Sequence, residues 1–406
     1  MKNKILLSAF MCDPTKGSEP GYGWNWAIGL AKLDYEVHCL TRIVNKEIIE
    51  QSLKPSNLSF HYVRLPLGLE RLYASSTIAM YIYYVLWQWF AYRYARKINK
   101  LIRFDVAHHV TWGSIQLGSF IYKLNVPFVF GPAGGGQAAP SAFKHYFLDH
   151  WRNEERRESI SKLMLRYNPA CRHMIKKAAV ILVSNDDTFK MVKAAGANKI
   201  IFHLDTALPD DFYPSSPVIR TPESGNLKLL WVGRFLPRKG LLLLLDMMNS
   251  LREYEGITLT VVGDGEMRDA FLQTIDDLKL HGRVNWMGLV EYKQVKEFYM
   301  SHDVFVFTSL RDSVGLQMVE AMAFGMPVIT INLHGQALVV NDDRGFVVEC
   351  DTPEIAVKSL KEAVLKFLNN PELINIKGKA AYDFAKQKTW NNTIKDISKN
   401  HYPLKN

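Results

Sequence analysis

The stretch Ser309 to Thr330, SLRDSVGLQMVEAMAFGMPVIT, constrains the fold of this 406-residue chain most, because strand, loop, helix and strand follow one another with little between them. Phe305-Val306-Phe307 is a short apolar run ending at Thr308, the pattern of a buried strand. Arg311, Asp312 and Ser313 then make a polar loop. From Gly315 onward, Leu316, Val319, Met322 and Ala323 recur at helical spacing. Gly325 and Pro327 stop that helix, and Val328 to Ile331 reads as the next strand. A helix that starts at the carboxyl end of a strand offers free N–H groups and a favourable dipole to an anion. Asp312 and Glu320 cannot bind phosphate, but they accept hydrogen bonds from sugar hydroxyls. A phosphorylated sugar compound would satisfy the amides and the acids together.

The chain is too long for one typical core, so two domains are expected. Cys12, Cys39, Cys171 and Cys350 show no paired spacing, which argues against a zinc site or a disulfide framework and fits a reducing compartment. The formal net charge of +10 favours anionic partners: phosphorylated ligands, nucleic acid or an acidic lipid surface. The opening MKNKILLSAF has too short an apolar run for a signal peptide and reads as a first strand.

Lys4 to Phe10 is that strand, the Gly-rich loop Asp13 to Gly23 follows, and a helix is expected from about Trp24 to Leu33. The loop lacks G-x-G-x-x-G, so no dinucleotide fingerprint is present; Gly17, Gly21 and Gly23 would let a ligand approach the backbone closely. Thr77 to Tyr94 crowds aromatic residues into a helical run, with Arg93, Arg96, Lys97, Lys100 and Arg103 at its end. It falls short of the roughly 20 apolar residues of a membrane span. A membrane-surface helix and a core helix both fit it. Asp105 to Val110 reads as a strand end that sends His108 and His109 to opposite sides. His109 is a candidate for binding an acceptor, or else a hydrogen-bonded structural residue. Val126 to Phe130 leads into Gly131-Pro132-Ala133-Gly134-Gly135-Gly136, where Gly134 and Gly135 permit positive φ or close contact with a ligand. Residues 150 to 177 carry mixed charge and read as a solvated helix. The polar, Pro/Ser-rich stretch that follows Pro214 and runs to Gly225 reads as a domain linker.

The second half repeats the α/β pattern with strands at Lys228 to Val232 and Ile257 to Val262, and beyond Phe346-Val347-Val348 the chain becomes helical and polar. GRFLPRKG, Gly233 to Gly240, puts Arg234 and Lys239 in a loop at a strand's carboxyl end, where fixed cations would meet a diphosphate.

These residues carry a resemblance. Two acidic residues separated by seven positions, Asp312 and Glu320, downstream of Arg234 and Lys239, resemble the signature of retaining GT-B glycosyltransferases of family 4 (glycosyl transferases group 1). The first acidic position in that family is usually Glu, and here it is Asp312. The resemblance implies an α/β, GT-B fold: two Rossmann-like domains facing across a cleft, with the last helix crossing back to the first domain. It divides the chain into an acceptor-binding domain over 1–212, a nucleotide-sugar-binding domain over 213–388 and a returning segment over 389–406. It assigns Arg234, Lys239 and Asp312 to catalysis, and Gly233, Ser313, Gly315, Leu316, Glu320 and Met287 to the donor. Gly17, Gly21, Gly23, His109, Gly134 and Gly135 fall to the acceptor or phosphate loops. The implied reaction transfers a sugar from a nucleotide-sugar donor to a hydroxyl of a glycan or lipid-linked acceptor, as in cell-envelope polysaccharide synthesis, without metal or cofactor. A GT-B sugar-nucleotide epimerase or phosphorylase would share the phosphate site, and a nucleic-acid-binding protein would answer to the charge alone. The expected location is cytoplasmic, at the inner face of the cell membrane if residues 77–103 touch lipid.

Overall fold

The computed structural model describes residues 2–404. Met1, and Lys405 and Asn406 of the expected returning segment, lie outside the described residues. The chain forms two compact units, one of residues 1–136, 159–205 and 390–406, the other of residues 137–158 and 206–389.

The first unit is built on seven parallel strands: β1 Lys4–Ala9, β2 Glu36–Arg42, β3 Leu58–Val63, β4 Val106–Thr111, β5 Phe128–Ala133, β6 Val180–Val183 and β7 Ile200–Phe202, in the order β3-β2-β1-β4-β5-β6-β7. The second has six: β8 Leu227–Val232, β9 Ile257–Val262, β10 Val284–Trp286, β11 Val304–Phe307, β12 Val328–Ile331 and β13 Gly345–Val348, in the order β10-β9-β8-β11-β12-β13. Parallel strands covered on both faces read as continuous apolar runs, and β11 and β12 are buried at every residue. The strand order reverses between β1 and β4, and again between β8 and β11. Outside the carboxyl ends of such a pair the following loops diverge, and a crevice opens there.

The expected division departs from these units most at residues 137–158, and residues 206–212 and 389 also belong to the second unit. Phe143, Tyr146 and Phe147 bury their rings in the second unit's core with Trp231, Phe235 and Leu243, and the Tyr146 hydroxyl donates to Asp246 at 2.7 Å. Residues 137–158 therefore pack with the second sheet, although they precede it by some 70 residues. Helix Trp390–Asn400 is part of the first unit, where Ile394 fills the space left by Gly29.

Arg220, in the stretch read as a linker, ties the second unit together. Its buried guanidinium donates to the carbonyls of Val218, Tyr299, His302, Phe324 and Gly325. Those carbonyls include the free C-terminal acceptors of helices Tyr292–Ser301 and Leu316–Ala323, the second of which carries Glu320. Removing the guanidinium orphans several buried acceptors at once. Arg220→Met is expected to destabilise the protein by about 3 kcal/mol, read as a lower urea midpoint at constant slope.

Candidate functional site

The loop after β8 and the loop after β11 meet beside the second unit's strand-order reversal. Pro237–Lys239 forms a single 3₁₀ turn, and Gly240 ends it at φ 66°. A side chain at Gly240 would collide with the Thr308 backbone carbonyl, at 2.1 Å, so only glycine lets the two loops close on each other. Leu310 N–H donates to the Arg238 carbonyl at 2.8 Å, and the Ser309 hydroxyl reaches the same carbonyl at 3.1 Å. Gln336 fixes the other side through a 2.6 Å bond from its amide nitrogen to the Ser309 carbonyl.

Inside this frame the Lys239 ammonium pairs directly with Asp312 Oδ2, and the Arg238 guanidinium lies 3.5 Å from the same oxygen. The other carboxylate oxygen accepts from the Ser313 N–H at 3.1 Å. Burial alone would raise the Asp312 pKa, but Lys239 and Arg238 outweigh it and pull the carboxyl down to about 2. The stability that this pairing contributes is fully present above the ordinary carboxylate range and is lost only as pH falls to about 2. Burial lowers the Lys239 pKa, Asp312 opposes that shift, and the charges of Arg238 and Arg234 add to it. Arg234 itself is exposed on the same loop.

Gly315 precedes helix Leu316–Ala323 at φ 95°, and a Cβ there would lie 2.5 Å from the Phe307 ring. Ser313 and Leu316 are half-buried at this helix start. One turn on, Glu320 is buried, and it accepts from the Tyr292 hydroxyl at 2.6 Å and the Tyr299 hydroxyl at 2.9 Å. Burial raises its pKa, and the two hydroxyls oppose the shift. Gly233 packs over Trp231, and Met287 lies exposed just after β10 with its N–H bonded to Val261.

In the first unit the expected ligand loops turn out differently. Helix Ser18–Lys32 begins earlier than expected, so Gly21 and Gly23 are helical residues. Their lack of a side chain serves the chain itself: a Cβ would meet the Lys16 carbonyl at 2.3 Å and the Met11 carbonyl at 2.1 Å. Gly17 precedes that helix with open space around it. Gly135 adopts φ 118° against the Gln116 side chain, whose amide donates to the Gly135 carbonyl at 2.7 Å, and Gly134 bridges to Ser114. His109 is fully buried, with Nδ1 at 3.1 Å from the Ser8 hydroxyl and Nε2 at 3.1 Å from the Trp112 carbonyl. Burial pushes its pKa down to about 3. It occupies the position of a neutral structural histidine.

Over the whole chain, the structure superposes on sucrose-phosphate synthase from Thermosynechococcus elongatus with a TM-score of 0.70, covering 98% of both chains at 16% identity. Anabaena HepE in complex with UDP gives a TM-score of 0.64, again over 98% of both chains and at 16% identity. The fold is GT-B. Within this GT-B chain, residues 217–384 match the family model of glycosyl transferases group 1. Among curated relatives, an uncharacterized glycosyltransferase of Methanocaldococcus jannaschii is 26% identical over 42% of this chain and 46% of its own length. The lipopolysaccharide core biosynthesis glycosyltransferase LpsE of Rhizobium meliloti is 30% identical over 33% of this chain and 38% of its own. The chain thus spans less than half the length of either relative.

Two carboxylates in this GT-B chain escaped the sequence reading. Glu154 is buried and pairs with Arg311, Nε to Oε1 at 2.5 Å and Nη2 to Oε2 at 3.1 Å, while Arg157 holds the same carboxylate at 3.0 Å. It braces the residue next to Asp312 from a helix whose mixed charges gave no sign of a buried member. Glu19 accepts from the Gly113 N–H at 3.3 Å, and burial raises its pKa to about 7. The GSEPGYG run could have flagged it as the only carboxylate after Asp13 in that loop.

Proposed function

We propose that this protein is a retaining, metal-independent glycosyltransferase of family 4 that moves a sugar from a nucleotide-sugar donor to a hydroxyl of a glycan or lipid-linked acceptor. The observation that carries this reading is the pairing of Lys239 and Arg238 with Asp312 at the strand-order reversal, beside the start of the helix that buries Glu320 one turn further on. Cations and free amides at one end suit a diphosphate, and a carboxylate held by two tyrosine hydroxyls suits the hydroxyls of a ribose. The group 1 match over this unit and the superposition on HepE, a structure containing UDP, support the same assignment.

In this reaction Arg234, Lys239 and the amides around Gly315 stabilise the charge that grows on the departing diphosphate. The diphosphate stays on the face from which the acceptor attacks, takes the acceptor's proton, and the anomeric configuration is kept. Glu320 holds the ribose, while Gly233, Ser313, Leu316 and Met287 line the donor. Asp312, which the resemblance assigns to catalysis, takes a positioning role. One of its oxygens is engaged by Lys239 and Arg238 and the other by the Ser313 N–H, so it orients Lys239 toward the phosphates. The acceptor falls to the first unit's loops, and the relation to LpsE supports an envelope glycan or its lipid-linked precursor. No cofactor is required.

A thermal-shift panel of nucleotide sugars and nucleoside diphosphates tests the reading. Nucleotide sugars of one base are expected to raise the melting temperature by several degrees at millimolar concentration, and the matching diphosphate to retain much of that shift. No shift with any nucleotide would contradict the donor assignment.

A further inference from the structure

Helix Thr77–Ile102 has two faces of different purpose. Tyr83, Tyr84, Trp87, Ala91 and Ala95 are fully buried in the first unit's core. On the opposite side, Ile78, Ile82, Val85, Trp89, Arg93, Arg96 and Lys100 follow one another at intervals of three or four residues, which is one stripe along the helix. All seven are exposed, and the apolar ones heavily so: Ile78 74%, Ile82 52%, Val85 43% and Trp89 42%. A solvated helix carries polar residues on its outer face, so a row of large apolar side chains there needs a covering partner.

The same stripe identifies that partner. Its first half is aliphatic and aromatic, and its second half is cationic. The helix holds no Asp or Glu in its 26 residues. Lys123, from the neighbouring 3₁₀ segment Phe120–Leu124, adds a cation over the Trp89 ring at 5.7 Å. No helix among the described residues is long and apolar enough to cross a membrane. We propose that this face lies in the surface of an anionic lipid bilayer. Ile78, Ile82 and Val85 enter the acyl boundary, Trp89 sits at headgroup level, and Arg93, Arg96, Lys100 and Lys123 meet lipid phosphates. A protein surface would match the apolar half, but it would have no need of a carboxylate-free cationic half on the same stripe. The proposal draws on no residue of the donor site.

The test is co-sedimentation of the full chain with vesicles of phosphatidylcholine alone and of phosphatidylcholine mixed with phosphatidylglycerol, at low and high salt. Binding to the anionic vesicles is expected to be about tenfold tighter or more, and to weaken as salt rises. The Ile82→Ser, Val85→Ser double variant and the Arg93→Gln, Arg96→Gln, Lys100→Gln triple variant should each lose at least about tenfold in vesicle affinity. Both should keep the wild-type melting temperature and nucleotide-sugar thermal shift, because the positions are exposed. Absence of binding by the wild-type protein, or undiminished binding by either variant, would overturn the proposal. So would a concentration-dependent dimer in sedimentation velocity that Ile82→Ser, Val85→Ser abolishes, since the face would then belong to a second copy of the chain.

Discussion

Replacing Lys239 by alanine is expected to lower kcat for glycosyl transfer about a thousandfold, with a smaller change in the KM for the donor. The ammonium is buried and held by Asp312 without any ligand, so in the proposed reaction it would meet a developing phosphate charge without reorganising. An interaction that strengthens as the bond to the diphosphate breaks acts on the transition state, which is why kcat should carry the loss. The substitution also leaves the Asp312 carboxylate in a half-buried site with Arg238 at 3.5 Å as its remaining cation. A stability loss of about 2 kcal/mol should accompany it, because a carboxylate deprived of one partner keeps its desolvation cost. Circular dichroism and a melting curve separate that loss from the loss of turnover. Near-normal kcat in a folded Lys239→Ala protein would remove Lys239 from the leaving-group site.

The second large effect is expected at Glu320, with the opposite kinetic signature. Glu320→Gln preserves size and can still accept from one tyrosine hydroxyl, so the fold should survive with a melting temperature close to wild type. It lacks the charge that would bind ribose hydroxyls in place of Tyr292. A hydrogen bond to a charged group is worth about 1.5–3 kcal/mol, so donor affinity should fall roughly 10- to 150-fold. Because ribose is bound alike in the ground and transition states, the change belongs in KM and in the thermal shift, with kcat less affected. A titration of nucleoside diphosphate against the variant checks this without any acceptor. Unchanged affinity would place the ribose elsewhere.

Much of this site was legible in the chain because parallel α/β units put functional groups in the loops that follow strands. The two stretches GRFLPRKG and SLRDSVGLQ each announce such a loop. Their direct contact was not legible, since it depends on β8 and β11 being neighbours across a strand-order reversal, and nothing local to either stretch records that. For the same reason the Lys239–Asp312 pair appeared in sequence as two separate ligands. Glu154 was invisible for a different reason: a carboxylate in a mixed-charge helix looks solvated until the fold buries it on Arg311. The glycines misled in the other direction. Gly21 and Gly23 suggest room for a ligand, but the Lys16 and Met11 carbonyls fill that room. The aromatic helix at 77–94 fitted both a core and a surface role, and the structure shows a core face and an exposed face back to back.

The most direct test of the central claim is turnover read at both ends of the reaction. The purified full chain is incubated with the nucleotide sugar that stabilises it, with and without a glycan or lipid-linked acceptor, while released nucleoside diphosphate is counted. Proton NMR of the product gives the anomeric configuration. The account predicts acceptor-dependent release, a product that keeps the donor's configuration, and loss of both in Lys239→Ala. Conversion of the nucleotide sugar to another sugar without acceptor, or a product of inverted configuration, would contradict it.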